Sequence, residues 1–162
     1  MVLYFMFFLT ACFSFAEVSG VLVGKTKSNI YIVLCFIFFL LSFLRWEFGT
    51  DWDMYLRNFN YSLKYASLKY EPLYEFCVIQ MRKVTSDYTI MLLLLSSILF
   101  YFQSKGIFNN SPLPITSLFV ITALWFCNVG YVRQTIALAL ILFSIKYIEE
   151  RKLTLYVLFV VL

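Results

Sequence analysis

Arg133 is the residue whose position is hardest to explain without a chemical role. It is the only charged residue between Gly106 and Ile145. An arginine within a membrane costs about 2.5–3.5 kcal/mol to insert unless it faces protein, water or an anion. Arg133 also lies near the start of a predicted helix, where free N–H groups and the dipole attract anions. This combination suits a phosphate group. The alternative is an arginine that only reaches the lipid headgroups.

Two carboxylates are candidates for acid–base chemistry. Asp51 follows Phe48-Gly49-Thr50, and Glu71 precedes Pro72. Either carboxylate could orient or deprotonate a sugar hydroxyl. Each also has a structural alternative, because Asp is a preferred helix cap and acids stabilise the first turn of a helix. Asp53 is assigned to that structural role. The chain has no histidine and therefore offers no histidine base, triad or metal ligand.

The composition is that of a membrane protein. Hydrophobic residues make up 62% of the chain and charged residues 14%, against roughly half and a quarter in soluble domains. The net charge of +4 is spread thinly, so no nucleic acid partner is expected. The four cysteines form no Cys-x-x-Cys pair, which predicts small core residues and neither a disulfide nor a metal framework. No cofactor is expected.

The predicted fold is all-α, a polytopic transmembrane helix bundle that forms a single domain over residues 1–162. Spans are predicted at about 2–23, 28–44, 88–104, 115–128 and 131–148, with the start of a sixth at 153–162. Because a helical span needs about 20 apolar residues, the last run predicts a chain that is truncated within its sixth span.

The segment 45–87 contains about half of the charges. Trp52, Tyr55, Leu56 and Phe59 follow helical spacing, which predicts an amphipathic helix on the membrane surface. Pro72 suits the first turn of a second helix. The loops before 28, after 104 and after 148 contain lysine or arginine and are therefore predicted to be cytoplasmic. The N-terminus and the segment 45–87 are then extracytoplasmic.

Three motifs occur in order along the chain. They are Arg45-x-x-x-Gly49-Thr50-Asp51-x-x-x-Tyr55-x-x-x-Phe59, Glu71-Pro72-Leu73-Tyr74 and Gly130-Tyr131-Val132-Arg133-Gln134-Thr135-Ile136-Ala137. Together they resemble the N-terminal half of the EpsG family of Wzy-type polysaccharide polymerases. The resemblance covers about residues 45–162.

The resemblance implies a function at the outer face of the bacterial cytoplasmic membrane. There, polyprenyl-pyrophosphate-linked oligosaccharide repeat units are joined during exopolysaccharide, capsule or O-antigen biosynthesis. Flippase and chain-length regulator proteins are the implied partners. The family pattern continues into a Phe-His motif after the Arg-Gln helix. The chain ends before that motif, so this fragment is expected to be inactive alone.

The residues assigned to the site fall into two groups. The catalytic candidates are Asp51, Glu71 and Arg133, and the substrate-binding candidates are Arg45, Tyr55, Tyr74 and Gln134.

Two other classes of protein fit the same features. A polysaccharide transporter or flippase component would also place an arginine beside a broken membrane helix. In a non-enzymatic membrane subunit, Arg133 would instead pair with a carboxylate on a partner helix.

Overall fold

The chain is described by a computed structural model that covers residues 2–44, 47, 52–63, 72–126 and 132–161. Within these ranges it forms eight α-helices and no strand, which confirms the predicted all-α class. The helices are α1 (Val2–Val18), α2 (Gly24–Phe43), α3 (Trp52–Tyr61), α4 (Pro72–Val84), α5 (Tyr88–Asn110), α6 (Pro114–Phe126), α7 (Val132–Glu149) and α8 (Leu153–Val161). The connection between the predicted spans 115–128 and 131–148 lies outside the described residues.

Among the described helices, α2 and α5 are long and apolar enough to cross a bilayer. They have 20 and 23 residues, which correspond to about 30 and 35 Å at 1.5 Å per residue. The hydrocarbon core of a bilayer is about 30 Å thick. Helices α1 and α6 contain shorter apolar stretches. A membrane crossing by the remaining helices stays a prediction.

The first helix ends earlier than the limit of residue 23 expected from the sequence. Gly20 has a φ of +76°, a conformation that glycine adopts without steric cost. The Val21 N–H donates to the Ala16 carbonyl at 3.1 Å, and the Gly20 N–H donates to the Glu17 carbonyl at 3.1 Å. This pair of bonds is a Schellman motif, which terminates the helix.

A buried carboxylate connects α1 to α6. Glu17 is only 4% exposed. One of its oxygens accepts from the Ile115 N–H at 3.3 Å, and the other accepts from the Thr116 N–H at 2.7 Å and the Thr116 hydroxyl at 2.9 Å. The first N–H groups of a helix have no partner within it, and a negative charge there is favoured by the dipole. Glu17 therefore caps a helix that lies almost a hundred residues further along the chain.

Helix α5 lies at the centre of the assembly. It pairs with α2 through hydrogen bonds from the Tyr31 hydroxyl to the Ser104 carbonyl at 2.8 Å and between Ser96 and Ser42 at 3.0 Å. The order of these contacts makes α2 and α5 antiparallel. On its other side α5 packs against α7. A Cβ built on Gly106 would lie 2.9 Å from the Phe143 backbone nitrogen, so glycine is what permits this close approach.

The two ends of the helical assembly differ in the residues that meet there. At one end, which we call the aromatic end, Trp52, Tyr55 and Phe59 of α3 pack with α4 and the start of α5. At the opposite end, which we call the basic end, Lys27 donates to the Pro112 carbonyl at 3.0 Å. The residues in the loops predicted to be cytoplasmic belong to this basic end.

The apolar side of α3 was expected to face a membrane surface. In the structure, Trp52, Tyr55 and Phe59 are buried and pack against Tyr74, Val78 and Tyr88 of the neighbouring helices. A helix whose apolar residues are covered by protein needs no lipid to bury them. The position of α3 relative to a membrane stays a prediction.

We predict that Glu17→Ala lowers the free energy of unfolding by about 1–3 kcal/mol, because two N–H groups and a hydroxyl lose their acceptor. The measurement is the thermal unfolding midpoint of the detergent-solubilised protein. Glu149→Ala is the control, since Glu149 is exposed at the end of α7. Equal midpoints for both variants would contradict the capping role.

Candidate functional site

Arg133 lies in the first turn of α7 and points between two tyrosines. Its Nε donates to the Tyr55 hydroxyl at 3.2 Å. The central carbon of its guanidinium lies 5.8 Å from the centre of the Tyr55 ring and 5.9 Å from that of Tyr74. Cation–π attraction operates within about 6 Å of a ring centroid. The structure therefore brings together three of the residues that the sequence assigned to the site.

The two tyrosines are held by the packing of the helices that carry them. Tyr55 on α3 is 3% exposed and Tyr74 on α4 is 8% exposed. Their ring centres are 5.8 Å apart, with the planes inclined by 60°. Tyr55 shares one side of α3 with Trp52 and Phe59, because positions three and four residues apart lie together on a helix. The burial of that side fixes where the Tyr55 hydroxyl points.

The location of Arg133 is electrostatically unfavourable without a partner. A positive charge at the start of a helix opposes the helix dipole. The phenol oxygen and the aromatic faces of Tyr55 and Tyr74 offset part of this cost, because each presents negative charge to the guanidinium. A bound anion would interact favourably with both the guanidinium and the helix N-terminus.

A cavity of about 370 Å³ begins at Arg133 and extends between α4, α5, α7 and α8. Its size is at the lower end of the roughly 300–1,000 Å³ typical of ligand sites. Gln134, which the sequence assigned to substrate binding, lies on its wall. The wall residues are Tyr74, Cys77, Leu95, Ile98, Phe102, Arg133, Gln134, Ile136, Ala137, Leu140 and Phe159.

The remaining residues predicted for the site cannot be placed. Arg45, Asp51 and Glu71 lie outside the described residues. In the chain, Asp51 directly precedes α3 and Glu71 directly precedes α4. These two helices carry the tyrosines that contact Arg133. The catalytic roles of the two carboxylates stay predictions.

Sequence reasoning missed a buried acid next to the site. Glu75 is 5% exposed, and its Oε1 accepts from the Asn58 amide at 3.4 Å. It follows Tyr74 in α4, where a glutamate is usually explained by the favourable charge–dipole interaction of a first helical turn. No spacing in the sequence relates Glu75 to Asn58, because the contact depends on how α3 packs against α4. Within the described residues, no group of three or more Cys, Asp or Glu could hold a metal ion.

The described residues form only helices, and two of these helices are long and apolar enough to cross a bilayer, which together with the composition is typical of a membrane protein. The chain belongs to the EpsG family, whose family model matches residues 28–162. Membership implies a polysaccharide polymerase-type role in exopolysaccharide biosynthesis. The resemblance seen in the sequence motifs is thereby confirmed. Comparisons with curated proteins and with solved structures found no match.

We predict that Tyr55→Phe lowers the free energy of unfolding by about 0.5–1.5 kcal/mol, the net value of a typical hydrogen bond. The variant keeps the ring beside Arg133 and removes the hydroxyl, which accepts from the Arg133 Nε. Tyr61→Phe is the matched control, because Tyr61 lies on the same helix and is 53% exposed. Thermal unfolding in detergent measures both variants. An unchanged midpoint for Tyr55→Phe would show that its hydroxyl does not hold Arg133.

Proposed function

We propose that this protein joins polyprenyl-pyrophosphate-linked oligosaccharide repeat units at the outer face of the bacterial cytoplasmic membrane. The observation that carries the proposal is the position of Arg133 between Tyr55 and Tyr74, at the mouth of an apolar cavity. An anionic, lipid-linked donor matches both features. Membership of the EpsG family supports the polymerase class. The product would be an exopolysaccharide, capsule or O-antigen chain.

In the proposed reaction, Arg133 binds the pyrophosphate of the donor lipid. A hydroxyl oxygen of the acceptor sugar forms a bond to the anomeric carbon of the donor. The bond from that carbon to the pyrophosphate oxygen breaks, and the polyprenyl pyrophosphate leaves with the electron pair. Negative charge grows on the leaving group, so a guanidinium already positioned beside it stabilises the transition state more than the ground state.

The hydroxyl proton needs an acceptor in the same step. Asp51 is our first candidate for this base and Glu71 the second, because each directly precedes a helix that carries one of the two tyrosines. The carboxylate takes the proton from the acceptor hydroxyl and later releases it to water. Arg45 is proposed as a second phosphate contact and Gln134 as a hydrogen-bonding contact to the substrate.

Tyr55 and Tyr74 are proposed to have two roles. They hold the guanidinium in place, and Tyr74, whose side chain lines the cavity, is proposed to contact the substrate directly. Orienting the planar fork of arginine in advance reduces the conformational entropy lost when it binds an anion. Tyr55 is almost fully buried, so its proposed part in substrate binding is through the guanidinium that it positions.

The distribution of basic residues supports the proposed orientation. Lys105 and Lys146 both lie near the basic end, where α5 and α7 pack at Gly106 and Phe143. Short loops rich in lysine and arginine stay on the cytoplasmic side. The aromatic end, including Arg133, would then face outward. The N-terminus of α1 and the segment 45–87 would be extracytoplasmic, where a flippase delivers repeat units and a chain-length regulator could bind the protein.

We predict that Arg133→Lys abolishes polymer formation while the full chain still inserts into the membrane and accumulates. Lysine keeps the charge but loses the planar, bidentate fork that matches a phosphate. Loss of a preorganised electrostatic contact reduces turnover by about 10²–10³-fold. Polymer is measured on gels from cells that produce the variant, and protein level by immunoblot.

Arg82→Lys is the matched control for this experiment. Arg82 lies on α4 and, like Arg133, belongs to the aromatic end. Its guanidinium instead contacts the Phe59 ring, at 5.3 Å from the ring centre. Polymer of normal length and yield from Arg133→Lys would exclude the proposed role of the guanidinium. An equal loss in the two variants would show a general requirement for arginine at this end.

Asp51→Asn and Asp51→Ala are both predicted to reduce polymer yield by about 10²–10⁴-fold, since neither side chain accepts a proton as a base. If Asp51 is only a helix cap, asparagine will preserve function and alanine will reduce stability. Asp53→Asn is the control, because Asp53 is exposed in the first turn of α3. Full yield from both Asp51 variants would move the proposed base to Glu71.

A further inference from the structure

The charged residue of the cavity wall lies at one end of the cavity, beside the start of α7. Arg133 and Gln134 lie at the start of α7, and Leu140 lies two turns further along the same helix. At 1.5 Å per residue, the wall from Arg133 to Leu140 is about 10 Å long. Phe102 and Phe159 line the part of the cavity away from Arg133, and their ring centres are 6.0 Å apart. The cavity therefore matches an amphiphile with a charged head and a hydrocarbon chain.

We infer that this cavity holds the first isoprene units of the polyprenyl carrier lipid while its phosphates lie at Arg133. The inference rests on the proposed function, and it adds a binding site for the hydrocarbon of the donor. The apolar wall begins beside the guanidinium, at Tyr74 and Ile136. In a polyprenyl phosphate, the hydrocarbon likewise begins at the carbon bonded to the phosphate oxygen.

A membrane phospholipid fits this arrangement less well. Its phosphate is separated from two acyl chains by a glycerol and two ester groups, which need polar surroundings or water. Four wall residues carry a polar group: Arg133, Gln134, Tyr74 with its hydroxyl and Cys77 with its thiol. The other wall residues are apolar. A single hydrocarbon chain attached directly to a phosphate meets no such cost.

The cavity also has an opening through which the remainder of a long chain can leave. Gln134 and Ala137 line the wall and are exposed on the surface of α7. A lipid could enter sideways between these positions and keep its distal units in the bilayer. The protein would then bind only the part of the chain next to the phosphate, so recognition would not depend on total chain length.

Cys77 provides a reporter inside the cavity. Its side chain is half-buried on the wall, and burial raises the pKa of its thiol. A bound hydrocarbon would block access of a maleimide to it. The internal control is the variant Gln80→Cys, because position 80 is exposed on the same helix and is not part of the cavity wall. Alkylation of each cysteine is followed by mass spectrometry of the full protein's peptides, at mildly alkaline pH in zwitterionic nanodiscs.

The experiment compares polyprenyl phosphate, phosphatidic acid and inorganic pyrophosphate. At about ten times its dissociation constant, polyprenyl phosphate should slow Cys77 alkylation about tenfold, because only the empty fraction reacts. The thiol introduced by Gln80→Cys should react at an unchanged rate. The other two compounds should give little protection. No protection by polyprenyl phosphate, or equal protection by phosphatidic acid or pyrophosphate, would overturn the inference.

A pair of neighbouring substitutions tests the same site by filling it. Ala137→Phe places a ring in the cavity and should reduce protection by polyprenyl phosphate several-fold. Leu138→Phe changes the next residue, which is 65% exposed and not part of the wall, and should leave protection intact. Equal protection in the two variants would place the hydrocarbon elsewhere.

A polymerisation assay on the full-length protein, prepared in the same nanodiscs, separates the two proposals. Polymer formation without lipid protection of Cys77 would support the proposed function and overturn the hydrocarbon site. Protection without polymer from lipid-linked repeat units would support the site and count against the polymerase. Loss of polymer in Ala137→Phe but not in Leu138→Phe would connect the two.

Discussion

The contact between α5 and α7 at Gly106 is the constraint on which the rest of the structure depends. The Phe143 backbone lies so close to Gly106 that a methyl group there would meet it at 2.9 Å. Asn110 adds a hydrogen bond to the Leu142 carbonyl at 2.7 Å. Helix α5 also pairs with α2 and packs against α3 and α4. The contact at Gly106 therefore sets the position of α7 along its axis relative to every element at the aromatic end.

Arg133 benefits most directly from this constraint. Arg133 lies nine residues before Leu142 on the same helix. The packing near Gly106 therefore fixes the position of Arg133 along the axis of α7. A slip of α7 by one turn would move the guanidinium about 5.4 Å along the helix axis, further than the 3.2 Å bond to Tyr55 tolerates. The position of the charge is therefore determined by close packing far from the charge itself. Rigid support of this kind is what an electrostatic site needs.

Much of the fold follows from local signals in the sequence. The all-α class follows from the long apolar runs, and the start of α4 at Pro72 follows from the fixed φ of proline. Tyr55, Tyr74 and Arg133 were assigned to one site by motifs, and the structure brings them into contact. Their common location reflects helices α3, α4 and α7 meeting at one end.

Other features depend on which helices become neighbours, and no local signal contains that information. The limit of α1 is a separate case, because its signal is local: Gly20 ends the helix although hydrophobicity continues past it, so the limit was placed five residues too late. Nothing in the sequence relates Glu17 to α6, or Asn58 to Glu75. The cavity could not be foreseen either, since its wall comes from four helices whose packing leaves a space.

The bond between Glu17 and α6 imposes an order on biogenesis. Its partners Ile115 and Thr116 are 98 and 99 residues later in the chain. At roughly 5–20 residues per second, synthesis reaches them about 5–20 s after Glu17. During that interval the carboxylate of the first helix lacks the N–H groups that surround it in the folded protein. The contact between α1 and α6 can therefore form only after α6 has been synthesised.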